Sequence, residues 1–202
     1  ADIASNIRRD PVTFNEYINP WADAEWNEHL FDIHGLSPTD DRITQAGDLI
    51  SVWNRFVNWI STHTRADETI ILVAWNGQTC DLRWLWRVSQ SPPSPCLLPD
   101  MIRYFIDSHH VISKYNDGGL HPSKSKIDSL ELGVVWAYIQ GVNFNKKHDS
   151  LEDVKAQSDI FVHPEFTLCT TRVDVRARSS GRTSVLMSRS TSIRAVNIAS
   201  SA

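Results

Sequence analysis

Hydrophobic and polar positions along the chain predict alternating strands and helices. From Val12 to Ile18 (Val-Thr-Phe-Asn-Glu-Tyr-Ile) apolar and polar positions largely alternate among β-formers, which predicts a half-buried strand ended by Asn19-Pro20. Ser37-Pro38-Thr39-Asp40-Asp41 has the chemistry of a helix start, with Ser37 as N-cap and Pro38 at the first position. Ile43, Leu49, Ile50, Trp53, Phe56, Val57 and Ile60 then follow at helical spacing, predicting one long amphipathic helix to about Thr62. Thr69–Trp75 is a continuous apolar run, as in a central strand buried on both faces. A helix is predicted over Asp81–Val88, a loop at Ser91–Pro95, a second buried strand over Ile102–Asp107 and a turn at Asn116–Gly119. Two further helices follow, Ser129–Ile139 closed by Gly141 and Ser150–Phe161. Strands alternating with helices indicate a layered α/β domain.

Beyond Phe166 the pattern decays into Ser, Arg and Thr. Residues 1–166 are expected to form the domain, and 167–202 a Ser/Arg-rich tail in solvent-swollen coil. Charge divides the same way. The chain carries a net −4, while residues 171–202 hold six Arg and one Asp, a local +5 that leaves −9 on the body. An acidic body repels phosphate unless its carboxylates hold cations, a first hint of a metal site. Three cysteines without a C-x-x-C pair argue against a disulfide framework or a zinc site, and for a reducing, intracellular setting. No apolar run is long enough for a membrane span, and no signal peptide opens the sequence.

Four residues stand where chemistry is plausible. Asp81 follows the first buried strand, and ligands bind at the carboxyl ends of strands in open α/β sheets. Asp107 ends the second buried strand, while His148 and Asp153 flank the start of the last helix. Each also has a structural reading: Asp81 and Asp153 as first-turn acids, Asp107 as a cap, His148 as a solvated loop histidine. Together they suit a divalent ion on hard carboxylates, with an imidazole deprotonating an attacking water. Trp53, Phe56 and Trp59 fall at core spacing, and Trp84 and Trp86 are read as packing residues. Lys124 and Lys126 are read as a solvated loop.

Five segments in order carry a resemblance: Phe14-x-x-Tyr-Ile-x-Pro20, His34-Gly-Leu-Ser37, Leu72-Val-Ala-x-Asn-Gly-x-x-x-Asp81, Asp107-Ser and His148-x-x-x-x-Asp153. They resemble the DnaQ-like DEDDh 3′-to-5′ exonucleases, nearest to the TREX-type branch in the Asn-Gly-x-x-x-Asp spacing. The resemblance implies an RNase H-like mixed sheet flanked by helices. It implies hydrolysis of phosphodiester bonds at DNA or RNA 3′ ends by two Mg2+ (or Mn2+) ions. It makes Asp81 and Asp153 metal ligands and His148 the general base, with Asn76, Gly77 and His34 at the substrate. Single strands are the expected partners.

Two departures matter. The family's Asp-x-Glu motif lies on a first strand that has no counterpart before the segment aligned at Asp2–Ile7. Two of four metal-binding carboxylates are then lacking, so metal binding is expected to be weak and turnover impaired. The missing strand is normally central, so its absence predicts an open sheet edge, through which the chain could self-associate. Trp75 also stands where members of the family often have His. A nucleic-acid-binding or interaction module without catalysis, or a truncated remnant, remain the alternatives.

Overall fold

The computed structural model describes residues 12–20, 31–90, 96–114, 127–144, 149–163, 176–177 and 193–197. The elements are α1 (Phe31–His34), α2 (Asp41–Thr44), α3 (Leu49–His63), β1 (Thr69–Ala74), α4 (Asp81–Gln90), β2 (Ile102–Asp107), α5 (Ser108–Lys114), α6 (Leu132–Gln140), α7 (Ser150–Val162), β3 (Arg176–Ala177) and β4 (Ile193–Asn197).

β1 is the centre of the sheet. From Ile70 to Ala74 every residue is fully buried. Such a run is stable only where both faces and both edges are covered. The strand order is β3-β2-β1-β4, with β1 parallel to β2 and to β4, and β3 antiparallel to β2. Ile70 and Leu72 pack with Trp53 and Ile60 of α3 and with Leu85 and Val88 of α4. Ile71 and Val73 point to the opposite face by strand alternation. Trp75, of the same parity, belongs to the cluster formed by Ile112, Ile127, Val135 and Ile160 on the α5–α7 side. Helices therefore cover both faces, as the α/β reading required.

The sheet corrects one expectation. The tail does not remain coil throughout, because Ile193–Asn197 pairs along β1 in the register Thr69↔Ile193 to Val73↔Asn197. Both edges of β1 are therefore occupied, by β2 and by β4. An unpaired edge on a fully buried strand would leave a row of backbone N–H and C=O groups without partners, and the C-terminal segment supplies them.

Val12–Ile18 is not a strand. The segment is extended, but among the described residues its only bridge is Ile18↔Gly47, and its neighbour is a helix. Phe14 lies 5.6 Å from the ring of Phe56 and 5.9 Å from that of Trp59, and Glu16 accepts two hydrogen bonds from Arg55 Nε at 3.0 and 2.8 Å. Residues 14 and 16 share one side of an extended chain, and both meet α3.

The single long helix expected from Ser37 is divided. Asp40 caps α2 by accepting from Arg42 N, and Asp48 caps α3 by accepting from Ser51 N. Ser37 instead shares a hydrogen bond with Thr39. Asp side chains compete for backbone N–H groups in this way, and Asp48 restarts the helix after a break. At Gly47 within that break the carbonyl accepts from Asn19 N, and a Cβ would lie 2.9 Å from Arg55 Nη2. The helix expected from Ser129 begins at Leu132, with Glu131 at its N-cap, and ends on Gly141 at φ +70°. The last helix runs from Ser150, as expected, with Asp149 as its N-cap. The predicted turns at 91–95 and 116–119 and the lysines at 124 and 126 lie outside the described residues.

Candidate functional site

The parallel pairing of β1 and β2 sets Ala74 beside Asp107 at the carboxyl edge of the sheet. The chain then turns sharply into α4. Asn76 adopts φ +54°, a left-handed conformation that Asn tolerates better than most residues. Its carbonyl accepts from Thr79 N and Thr79 Oγ1, at 3.1 and 2.9 Å. Gly77 is buried, and a Cβ there would lie 2.5 Å from Ala74 Cβ and 3.0 Å from Leu82 Cγ. Its carbonyl accepts from Leu82 N at 2.8 Å, joining the turn to the helix. Glycine at this position is thus a packing requirement. Asn76 itself is exposed.

Asp81 opens α4 and is 8% exposed. Asp107, for which a structural role was the alternative, ties the two strand ends together: its Oδ2 accepts from Gln78 N at 3.1 Å. Its Oδ1 is buried with no partner among the described residues. A buried carboxylate oxygen without a donor is costly, so this atom is an unmet acceptor at the strand ends. Trp75 is held from the other side, donating its indole N–H to Leu130 O at 3.2 Å and meeting the ring of His109 edge-on.

Immediately after Asp107, Ser108 Oγ accepts from Gln157 Nε2 of α7 at 3.1 Å, with both residues buried. This link shows which side of α7 faces the sheet edge. Asp153 lies four residues before Gln157, one turn away on the same stripe of the helix. It is half-buried, and neither Asp81 nor Asp153 is without an interaction inside the chain. Asp149 is committed to capping, accepting from Leu151 N and Glu152 N.

Of the residues singled out in the sequence, Asp81, Asn76 and Gly77 sit together on the β1–α4 connection, and Asp153 lies on the α7 stripe that reaches Ser108. His34 is the last residue of α1, and its side chain lies outside what the structure describes, as does His148 altogether. Among the described residues no group of three or more His, Cys, Asp or Glu is gathered to hold a metal ion. Asp81 and Asp153 each carry hard carboxylate oxygen donors, the type that divalent cations such as Mg2+ take.

Three features were missed in the sequence. The Ser108–Gln157 bond was signalled only by a Gln one turn before the apolar pair Ile160 and Phe161. Helix α5 follows β2 without a break. Trp86 was read as packing but is 60% exposed, whereas its neighbour Trp84 packs against the core. Cys96 is buried, which pushes its thiol pKa up and makes it a poor nucleophile.

Among the described residues no helix is long and apolar enough to cross a membrane. No protein-family model matches the chain, and no curated protein does. Among solved structures it is similar to the chain described under "3′-end specific recognition of histone mRNA stem-loop by 3′-exonuclease", with 11% identity and a TM-score of 0.54 over 85% of this chain. The matched region spans 58% of that protein's chain. At this identity the likeness is one of fold, so the chain has the mixed α/β fold of a 3′-exonuclease, with the β1–α4 connection at the carboxyl edge of its sheet.

Proposed function

We propose that the chain carries a 3′-to-5′ exonuclease-type domain of the DEDDh kind, acting on 3′ ends of DNA or RNA. The observation that carries this reading is the placement of Asp81. It opens a helix directly after a fully buried central strand, beside the end of a parallel strand, in a fold shared with a 3′-exonuclease. In this reading Asp81 and Asp153 are ligands of a divalent cation, Mg2+ or Mn2+. The cation supplies charge stabilisation to the attacking and leaving oxygens of the phosphodiester. His148 takes the proton of the attacking water. Asn76, Gly77 and His34 line the substrate. On this reading two carboxylates leave most of the cation's coordination to water, so its binding is weak.

The test is magnesium-dependent release of mononucleotides from a 3′-labelled single strand, with Asp81→Ala as control. Release by the parent chain and loss of at least tenfold in the variant supports the assignment. Equal release by both overturns it.

A second reading is favoured by Trp75, whose indole N–H is already engaged by Leu130 O where the family often has His. It is a domain that binds single-stranded nucleic acid without turnover. Binding would then weaken with salt as phosphate contacts are lost, and fluorescence anisotropy across a salt series reads this directly.

A further inference from the structure

Helix α4 has two sharply different sides. Asp81, Leu85 and Val88 fall on one stripe and are 8%, 7% and 5% exposed. Arg83, Trp86, Arg87 and Gln90 fall on the other, at spacings of three, four and seven, and all are exposed. Trp86 is 60% exposed, and its indole makes no hydrogen bond or ring contact with the described residues. Arg83 makes no ion pair with them, whereas Arg87 keeps an interaction within the chain and remains exposed.

We propose that this outward face of α4 is a contact surface for single-stranded nucleic acid, with a base stacked on Trp86 and flanking phosphates on Arg83 and Arg87. The choice of this occupant rests on the exonuclease reading above. Three observations favour it. The helix has one acid, Asp81, and it lies on the inward stripe, so the outward face is purely cationic on a body of net −9. A tryptophan beside arginines combines a sequence-tolerant stacking platform with charges that track a phosphate backbone. The face also lies on the helix that Asp81 opens: Trp86 is five residues past Asp81, about 7.5 Å along the helix axis, a span that the nucleotides preceding a 3′ end can cover. The alternative occupant is a second copy of the chain, because Leu97, 63% exposed, is brought to the end of α4 by the bond from Cys96 N to Val88 O.

The experiment is anisotropy of a labelled oligothymidylate dodecamer with the full chain. EDTA suppresses turnover, and the salt concentration is varied. Trp86→Ala is expected to weaken binding roughly tenfold at constant salt slope, because stacking is lost and no phosphate contact is. Trp86→Phe restores most of that loss. Arg83→Gln with Arg87→Gln flattens the logarithmic salt slope by about 0.7 for each arginine. Thermal unfolding confirms that each variant is folded, since all three side chains are exposed. Binding left unchanged by Trp86→Ala overturns the proposal while leaving the exonuclease reading intact. A variant that changes sedimentation of the free chain but not its binding overturns it in favour of a self-association face. Failure of the parent chain to bind at low salt overturns both readings.

Discussion

β1 and the segment Val12–Pro20 are both extended, yet they are held by different forces. β1 is enclosed by strands on both edges and helices on both faces, and five of its six residues are fully buried. Val12–Pro20 lies along α3, where Phe14 rests against Phe56 and Trp59, and Glu16 meets Arg55 with both side chains partly exposed. Burial of apolar surface stabilises the first. A little burial and an ion pair screened by solvent hold the second, and such pairs contribute little. The candidate site is built on the first region, and its turn inherits that rigidity.

The largest expected effect is in the strand. Leu72→Ala removes a fully buried side chain between α3 and α4 and should cost about 2–5 kcal/mol in denaturant unfolding. A loss below about 1 kcal/mol would mean that β1 is not the core. Next is Gly77→Ala, where the new methyl would meet Ala74 Cβ at 2.5 Å. The turn must shift, at about 1–3 kcal/mol, and the Gln78 N–H should lose its bond to Asp107, raising its hydrogen-exchange rate.

Phe14→Ala should cost less, about 1–2 kcal/mol, because the ring is only half-buried. It should release Val12–Pro20 to proteolysis before the sheet opens. If Phe14→Ala matched Leu72→Ala, the contrast between the two regions would fail.

The smallest effect is in acid. The hydrogen bonds and charge of Arg42 hold the Asp40 carboxyl at about 2, below its ordinary 3.8, and the Ser51 N–H and hydroxyl lower that of Asp48. Both pKa values are depressed by folding, so the stabilisation is complete above the ordinary carboxyl value. It is lost as pH falls through the folded value, between 3.8 and about 2 for Asp40. Circular dichroism should show the ends of α2 and α3 fraying as pH falls below the ordinary carboxyl value while β1 keeps its amide protection. Asp48→Asn, which retains capping without charge, should leave less acid dependence at α3.

Much of this protein was legible in its residues. The apolar runs at Thr69 and Ile102 identify two buried strands, because only a strand covered on both faces tolerates that composition. Asp81 after such a run marks a strand-to-helix junction, and the Asn76-Gly77 pair marks its turn. These are local signals, set within a few residues by sterics and hydrophobicity.

What the sequence left open depends on partners distant in the chain. The alternation at Val12–Ile18 specifies an extended backbone but cannot say whether a strand or a helix will lie beside it. The Ser/Arg-rich tail carries no periodicity, yet β1 recruits Ile193–Asn197 from it, because the unpaired edge of a buried strand needs backbone hydrogen bonds more than particular side chains. Trp86 and Trp84 are both aromatic and two residues apart on one helix. Only the docking of α4 on the sheet places one inside and the other in solvent, since helix periodicity fixes relative faces and tertiary packing alone decides which face is buried.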